Sequence, residues 1–216
     1  MRLPVPALLV ISDRGQARQP LEQVAEAVFA GGCRWLSLRE KDLSSTERRA
    51  LLGRLQLLGH RFGAIVTAHE DIEAVAALGA DGVHLPSGGS PRAARAQLPG
   101  ALIGASAHSA EEASALLQAG ADYVTVSPVF LTASKPGYGP ALGLTGLARI
   151  VRQAPGPIVA LGGITADNAA SCFAAGVHAI AVMGEIMRAR DPQESVERIL
   201  RAVAVVERSE GVLKEN

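Results

Sequence analysis

A glycine-ended helical segment followed by a short apolar run repeats along this chain, and no other feature limits its folding as much. Gly32 precedes the run that begins at Trp35, and Gly120 precedes the run that begins at Tyr123. Glycine readily adopts the left-handed conformation that ends many helices, so each of these glycines marks a predicted helix C-terminus. The repeat therefore predicts a chain that alternates between helix and strand from end to end.

The apolar runs predict eight strands, and a helical pattern lies between each pair. Strands this apolar are buried on both faces, as a parallel sheet covered by helices requires. An eightfold repeat of this kind favours an α/β fold, the (β/α)8 TIM barrel, and an open doubly wound sheet is the alternative. The strands are predicted near Ala7–Ile11, Trp35–Arg39, Ala64–Thr67, Val83–Leu85, Leu102–Ser106, Tyr123–Ser127, Ile158–Leu161 and Ile180–Met183.

Length and composition indicate one domain. The chain has 216 residues, 48% of them hydrophobic, which is enough for a sizeable core. We expect the barrel to occupy residues 1–207, with a last helix from about Pro192 to Glu207, and residues 208–216 to form a polar C-terminal tail.

The charge balance argues against two classes of partner. Lysine plus arginine equals aspartate plus glutamate, at 21 each, so the overall charge gives no sign of nucleic acid or of an anionic membrane. The expected partner is a small molecule, and a homo-oligomer stays open. Two cysteines without motif spacing and the lack of a visible targeting segment favour a cytoplasmic location.

Two glycine-ended strands near the C-terminus predict a phosphate site. Leu161 is followed by Gly162-Gly163-Ile164, and the last apolar run ends at Met183-Gly184. Glycine lets the backbone approach an anion closely, and the amides that begin each following helix lack partners within it. Paired loops of this kind after the last two strands hold phosphate in many (β/α)8 barrels. Ordinary αβ-turn glycines are the alternative interpretation.

The segment after the second strand carries cationic side chains toward the same face. Alternate residues of an extended chain share a face, so Ser37, Arg39 and Lys41 are predicted to point into the barrel mouth. Arginine presents a planar fork to phosphate, and lysine presents a mobile point charge. A solvated charge cluster that leads into the next helix is the alternative.

A long polar loop follows the sixth strand. It is rich in glycine and proline, as lids at this face often are. Thr132, Ser134 and Lys135 are predicted to close over a phosphate or pyrophosphate, with Gly137 and Gly139 as hinges. A merely flexible loop is the alternative.

Several short motifs, in order along nearly the whole chain, resemble one family. That family is thiamine phosphate synthase together with its thiazole tautomerase (TenI-like) branch. The resemblance implies a protein of thiamine biosynthesis that binds a phosphorylated thiazole. The synthase joins a pyrimidine pyrophosphate to the thiazole phosphate, and the tautomerase aromatises a thiazole carboxylate phosphate. The motifs are Leu38-Arg39-Glu40-Lys41-Asp42, Asp81-Gly82-Val83-His84-Leu85, Gly104-Ala105-Ser106-Ala107-His108-Ser109, Gly120-Ala121-Asp122-Tyr123, Gly139-Pro140-Ala141-Leu142-Gly143-Leu144 and Gly162-Gly163-Ile164-Thr165 with Asn168.

The same resemblance assigns roles to individual residues. Gly163, Ile164 and the Met183-Gly184 turn match the thiazole-phosphate loops of the family. Arg39 and Lys41 match residues that hold pyrophosphate, Ser106 matches a serine near that group, and Lys135 matches the lysine of the lid loop.

Departures from the synthase pattern set the predicted function. His69-Glu70 replaces an Asn-Asp pair, Gly89 replaces a second acidic magnesium ligand, and Ser37 replaces a glutamine. Mg²⁺ needs oxygen ligands, so we predict no metal or cofactor unless the protein is a synthase.

A TenI-like tautomerase is the first expectation, although Pro128 replaces the histidine that shuttles the proton in that branch. His69 beside Glu70 is then the predicted general acid and base, with Lys135 also catalytic. A true synthase and a binding protein without catalysis are the alternatives.

Overall fold

The computed structural model describes residues 3–132 and 140–214, with the backbone alone for 205–214. Strands and helices alternate along it as the repeat predicts. Across these residues no helix combines the length and the apolar composition needed to cross a membrane. The strands are β1 (Leu8–Ile11), β2 (Trp35–Leu38), β3 (Ile65–His69), β4 (Gly82–Leu85), β5 (Leu102–Ala107), β6 (Tyr123–Val126), β7 (Ile158–Leu161) and β8 (Ala179–Val182). The helices are α1 (Leu21–Ala30), α2 (Ser45–Arg61), α3 (Ile72–Leu78), α4 (Pro91–Gln97), α5 (Ala110–Gln118), α6 (Gly143–Gln153), α7 (Ala166–Ala174), α8 (Gly184–Met187) and α9 (Pro192–Lys214).

The eight strands form a closed parallel barrel in chain order. The ring closes where β1 pairs with β8, with Leu8 opposite Ile180 and Val10 opposite Val182. The predicted (β/α)8 barrel is therefore confirmed, and the open sheet is wrong. Since all strands run the same way, every loop that follows a strand opens at one end of the barrel.

The strands bury both faces because two apolar layers surround the sheet. Along β1, Leu8 and Val10 face the helices, whereas Leu9 and Ile11 face the barrel interior. The interior layer also contains Trp35 and other apolar side chains of the strands. This two-sided burial is the reason that the strands read as continuous apolar runs.

The lower rim of the barrel shows why the sequence repeat has its form. Two aspartates lie shortly after helix-ending glycines. Each accepts a hydrogen bond from a backbone N–H near the start of the preceding strand. Asp81 accepts from the Val66 N–H at 2.8 Å, and Asp122 accepts from the Ile103 N–H at 2.7 Å. His178 takes the same place before β8, where its Nδ1 lies 3.3 Å from the Ile158 amide nitrogen. The repeat therefore ties neighbouring strands together at the face away from the mouth.

The predicted strand positions are confirmed, with small shifts at their ends. The largest shift lies in β3, which continues to His69 because Ala68 and His69 pair with Val83 and His84 of β4. The last helix, α9, extends to Lys214, beyond the predicted end at Glu207. The division into a domain at 1–207 and a polar tail at 208–216 stays a prediction.

Gly104 of β5 supplies a test of interior packing. A Cβ at Gly104 would overlap the ring of Tyr123, whereas a Cβ at Gly53 in α2 would meet no atom within 4 Å. We expect Gly104→Ala to lower the free energy of unfolding by about 1–3 kcal/mol through overpacking. The control, Gly53→Ala, should raise it by about 0.5–1 kcal/mol through helix propensity. Chemical denaturation measures both, and equal effects of the two changes would contradict this packing.

Candidate active site at the barrel mouth

A cavity of about 640 Å³ opens at the C-terminal ends of the strands. This is the end of a (β/α)8 barrel where active sites lie. It brings together residues that are far apart in the sequence and that follow different strands. Among those lining it are Asp13, Arg39, Lys41, His69, Glu70, His84, Ser106, His108, Thr132, Gly162, Gly163, Ile164, Met183, Gly184, Glu185 and Arg188.

The loop after β7 is shaped by close backbone packing. Gly162 and Gly163 have φ values of +103° and +64°, a region that side chains with a Cβ rarely adopt. A Cβ on Gly163 would lie 2.6 Å from the carbonyl oxygen of Leu131. Thr165 then caps α7 through a reciprocal capping box with Asn168, whose Nδ2 also donates to the Gly163 carbonyl at 2.9 Å. The carbonyl of Gly163 is thus held by Asn168, and the residue lines the mouth cavity.

The amides of Gly163 and Gly184 are candidate anion donors in these two loops. Among the described residues, none accepts a hydrogen bond from either N–H group. Both glycines line the mouth cavity, one after β7 and the other after β8. Two neighbouring amides of this kind can donate to the oxygens of one anion. The predicted phosphate-site residues, including Gly162, Ile164 and Met183, therefore lie together at one side of the mouth.

The cations predicted after β2 also line the cavity. Arg39 and Lys41 both do so, and the intervening Glu40 points the other way. Buried Glu40 accepts the Arg14 N–H at 2.9 Å, and desolvation by burial raises the pKa of its carboxyl group. This alternation matches the prediction from an extended chain. Glu40 anchors the loop after β1, and the two cations remain directed to the mouth.

Ser37, the remaining residue predicted from β2, lies deeper. It is fully buried inside the barrel, and its Oγ lies 3.1 Å from Nδ1 of His69. The His69 ring also packs on the His84 ring with centroids 4.6 Å apart. Glu70 follows His69 at the mouth with a φ of +63°, and its amide donates to the His84 carbonyl at 3.0 Å. The imidazole predicted as general acid and base is therefore held in a defined orientation beside Glu70.

A buried polar chain connects the barrel interior with the cavity. His84 Nδ1 lies 3.0 Å from the hydroxyl of Tyr123, and its Nε2 lies 2.9 Å from Oγ of Ser106. Burial lowers the pKa of His84 from 6.5 to about 4 and raises the pKa of Tyr123. Neutral histidine donates with one ring nitrogen and accepts with the other, and each hydroxyl can take either part. His84 is thus a satisfied interior residue that supports Ser106 at the cavity.

The magnesium ligands that the resemblance implies are not reproduced. Across the described ranges, no three His, Cys, Asp or Glu side chains come together in a way that could hold a metal ion. A Cβ on Gly89 would lie 2.8 Å from Cβ of Leu85 and 3.1 Å from the Pro86 carbonyl oxygen, so an acidic side chain there would force the loop to move. Mg²⁺ demands oxygen ligands in near-octahedral array. Gly89 therefore supplies no carboxylate for Mg²⁺, and of the two acidic positions in the synthase pattern only Glu70 lines the cavity.

Two residues that line the mouth were not predicted from the sequence, and some of the predicted residues lie outside the described part of the chain. Arg188 and Asp13 line the mouth, but neither belongs to a motif that singled it out. The available signal for Arg188 was its position one helical turn after Gly184. Thr132 lines the cavity, and its role over a phosphate stays a prediction. The other residues predicted for the lid and its hinges fall within 133–139, outside the described residues: Ser134, Lys135, Gly137 and Gly139.

The lowered pKa of His84 predicts how stability depends on pH. The unfolded chain binds a proton near pH 6.5 and the folded protein only near pH 4, so the contribution is complete above pH 6.5 and is lost as the pH falls toward 4. The loss amounts to at most about 3 kcal/mol. The free energy of unfolding, measured by chemical denaturation at several pH values between pH 7 and about pH 4, should fall less steeply with decreasing pH in His84→Asn than in the wild type. Equal slopes would contradict the neutral, buried state of His84.

Comparison with known proteins identifies the family. The sequence model of the family described as thiamine monophosphate synthase matches residues 8–186. A putative thiamine-phosphate synthase of Geobacter sulfurreducens is 38% identical over 197 residues, which cover 90% of this chain and 92% of the relative. The thiamine-phosphate synthase of Geobacillus thermodenitrificans is 34% identical over 203 residues, with 91% of each chain covered.

A solved structure agrees in fold and sequence. Thiamine phosphate pyrophosphorylase from Pyrococcus furiosus superposes with a TM-score of 0.84 at 32% identity and covers 92% of this chain and 96% of its own. These relatives carry synthase names, so the comparisons do not support the tautomerase, which was the first expectation from the sequence. From the matched length and the barrel shared with that structure, we conclude that the chain belongs to the thiamine monophosphate synthase family and is an enzyme of thiamine biosynthesis.

Proposed function

We propose that this enzyme is a thiamine-phosphate synthase, which couples a pyrimidine pyrophosphate to a thiazole phosphate and releases pyrophosphate. The observation that carries the proposal is that one cavity contains two groups of anion-binding donors. Arg39 and Lys41 follow β2, and the Gly163 and Gly184 amides follow β7 and β8. β1 lies between β2 and β8 in the ring, so the two groups occupy separate parts of the rim.

Two anion subsites fit a reaction of two phosphorylated substrates. A tautomerase acts on a single phosphorylated thiazole and needs one phosphate subsite, which the glycine loops supply. The cationic pair after β2 would then meet only the single charge of the thiazole carboxylate, whereas a pyrophosphate carries several negative charges and matches an arginine beside a lysine better. The names of the relatives favour the same choice. We therefore place the synthase first and retain the tautomerase and the binding protein as outcomes of the test.

The two groups of donors have different roles in the coupling step. The thiazole nitrogen forms a bond to the pyrimidine methylene carbon with its lone pair, and the bond from that carbon to the pyrophosphate oxygen breaks. Pyrophosphate leaves with the bonding electrons, and Arg39 and Lys41 stabilise the negative charge that develops on it. The Gly163 and Gly184 amides hold the thiazole phosphate so that its ring nitrogen meets the carbon.

The bond changes at the thiazole nitrogen involve no proton transfer. His69 therefore has no shuttle to perform in this proposal, and its contact with Ser37 makes it a fixed polar wall of the pocket. Glu70 is one of the acidic residues beside the cationic subsite. The catalytic roles predicted for His69 and Glu70 belong to the tautomerase alternative. The predicted role of Lys135 stays a prediction in either case.

A coupling assay tests the proposal. Purified protein with both substrates in magnesium-containing buffer should release pyrophosphate only when both are present. Arg39→Ala should lower kcat/KM for coupling about a hundredfold or more, because a charged donor to the leaving group is lost. The control, Arg61→Ala, changes an exposed residue at the end of α2 and should leave the rate unchanged.

Two other outcomes would reject the synthase. Isomerisation of thiazole carboxylate phosphate without pyrophosphate release would restore the tautomerase, and His69→Asn should then abolish that isomerisation. Tight binding of thiazole phosphate with neither activity would identify a binding protein.

A further inference from the structure

The side chain of Arg188 lies directly on Gly184. A Cβ at Gly184 would overlap the guanidinium of Arg188, so any larger residue at this position would push that group away. Arg188 follows Gly184 by four residues and is the C-cap of the short helix α8. Side chains of a helix lean toward its N-terminus, which brings residue 188 back over residue 184. Gly184 is not among the residues with positive φ, so the backbone conformation does not require glycine here, and the guanidinium of Arg188 occupies the space that a side chain would take.

The loop after β1 holds Arg188 in this position. Oε1 of Gln16 accepts a hydrogen bond from Nη1 of Arg188, and Nε2 of Gln16 donates to Oδ2 of Asp13 at 2.6 Å. Nε of Arg18 donates to the backbone carbonyl of Arg188 at 2.7 Å. The side chain of Arg188 is exposed, yet both its Nη1 and its backbone carbonyl are hydrogen-bonded to the loop after β1, at residues 172 and 170 positions away in the sequence. Its place at the mouth is therefore part of the fold.

Charge distinguishes Arg188 from the backbone donors beside it. The amides of Gly163 and Gly184 contribute partial charges, whereas a phosphate monoester carries up to about two negative charges at neutral pH. A guanidinium carries a full positive charge and presents donors in a planar fork that matches phosphate oxygens. Asp13 and Glu185 line the same cavity, and Asp13 is engaged by Gln16. Arg188 adds the cation that the glycine loops lack.

We propose that Arg188 is a phosphate-binding side chain that makes the enzyme prefer the phosphorylated thiazole over the corresponding alcohol. Gln16, fixed by Asp13, is the positioning residue that holds the guanidinium in place. The proposal rests on the proposed function, because it assigns the β7–β8 side of the cavity to the thiazole phosphate. It concerns binding alone, so it can be tested whether or not coupling is observed.

Calorimetric titration of the full chain with the thiazole phosphate and with the thiazole alcohol tests this assignment. Arg188→Gln should weaken binding of the phosphate about tenfold to a hundredfold, the usual effect of losing a charged hydrogen bond, and should leave the affinity for the alcohol unchanged. Arg188→Lys should recover part of the loss. Gln16→Ala should give a smaller loss in the same direction. Arg190→Gln, an exposed arginine two residues on, is the matched control and should bind like the wild type.

The outcomes separate this proposal from the proposed function. Unchanged phosphate affinity in Arg188→Gln, or an equal loss for phosphate and alcohol, would overturn the role of Arg188 even in a protein that couples its substrates. A selective loss for the phosphate in a protein that shows no coupling would support Arg188 and reject the synthase.

Discussion

The pairing of β8 with β1 is the interaction on which the site depends. It turns eight short parallel strands into a ring, so residues that follow β2, β7 and β8 meet at one mouth. An open sheet of the same strands would separate the cationic pair after β2 from the glycine loops by the width of the sheet. Closure also removes both sheet edges and leaves the barrel interior to be filled by side chains.

The chemistry at the mouth depends on what the interior below it supports. The aromatic rings of Trp35 and Tyr123 pack edge to face at 4.8 Å, and Tyr123 reaches His84, which in turn meets Ser106. Gly104 makes room for the Tyr123 ring. A buried polar network is stabilising when its members are satisfied, and this one connects the packed layer to a hydroxyl at the cavity. The packing of the interior therefore influences the position of Ser106 through the contacts of Tyr123 and His84.

The sequence predicted the features that depend on local pattern. The strand positions follow from apolar runs that two packed layers require, and the alternation of Arg39, Glu40 and Lys41 follows from extended backbone geometry. The glycine loop after β7 is recognisable because glycine is needed where backbones approach closely. In each case the cause acts within a few residues of the chain.

Features that depend on distant contacts could not be predicted in this way. The guanidinium of Arg188 is placed by Gln16, and the imidazole of His69 is oriented by Ser37, through partners far away in the sequence. The proposed synthase likewise depends on the cavity, because Arg39 and Lys41 come close to the glycine loops only when the barrel is closed. The expectation of a tautomerase rested largely on single positions such as Gly89, which replaces an acidic ligand of the synthase pattern.

The central claim is that one mouth holds two anions at separate subsites, and simultaneous binding tests it most directly. Protein saturated with thiazole phosphate should be titrated with inorganic pyrophosphate by calorimetry. We expect one further pyrophosphate to bind per chain, with an affinity within about fivefold of that measured without the thiazole phosphate. A pyrophosphate Kd that rises in proportion to the thiazole phosphate concentration would show a single shared subsite and would contradict two separate ones.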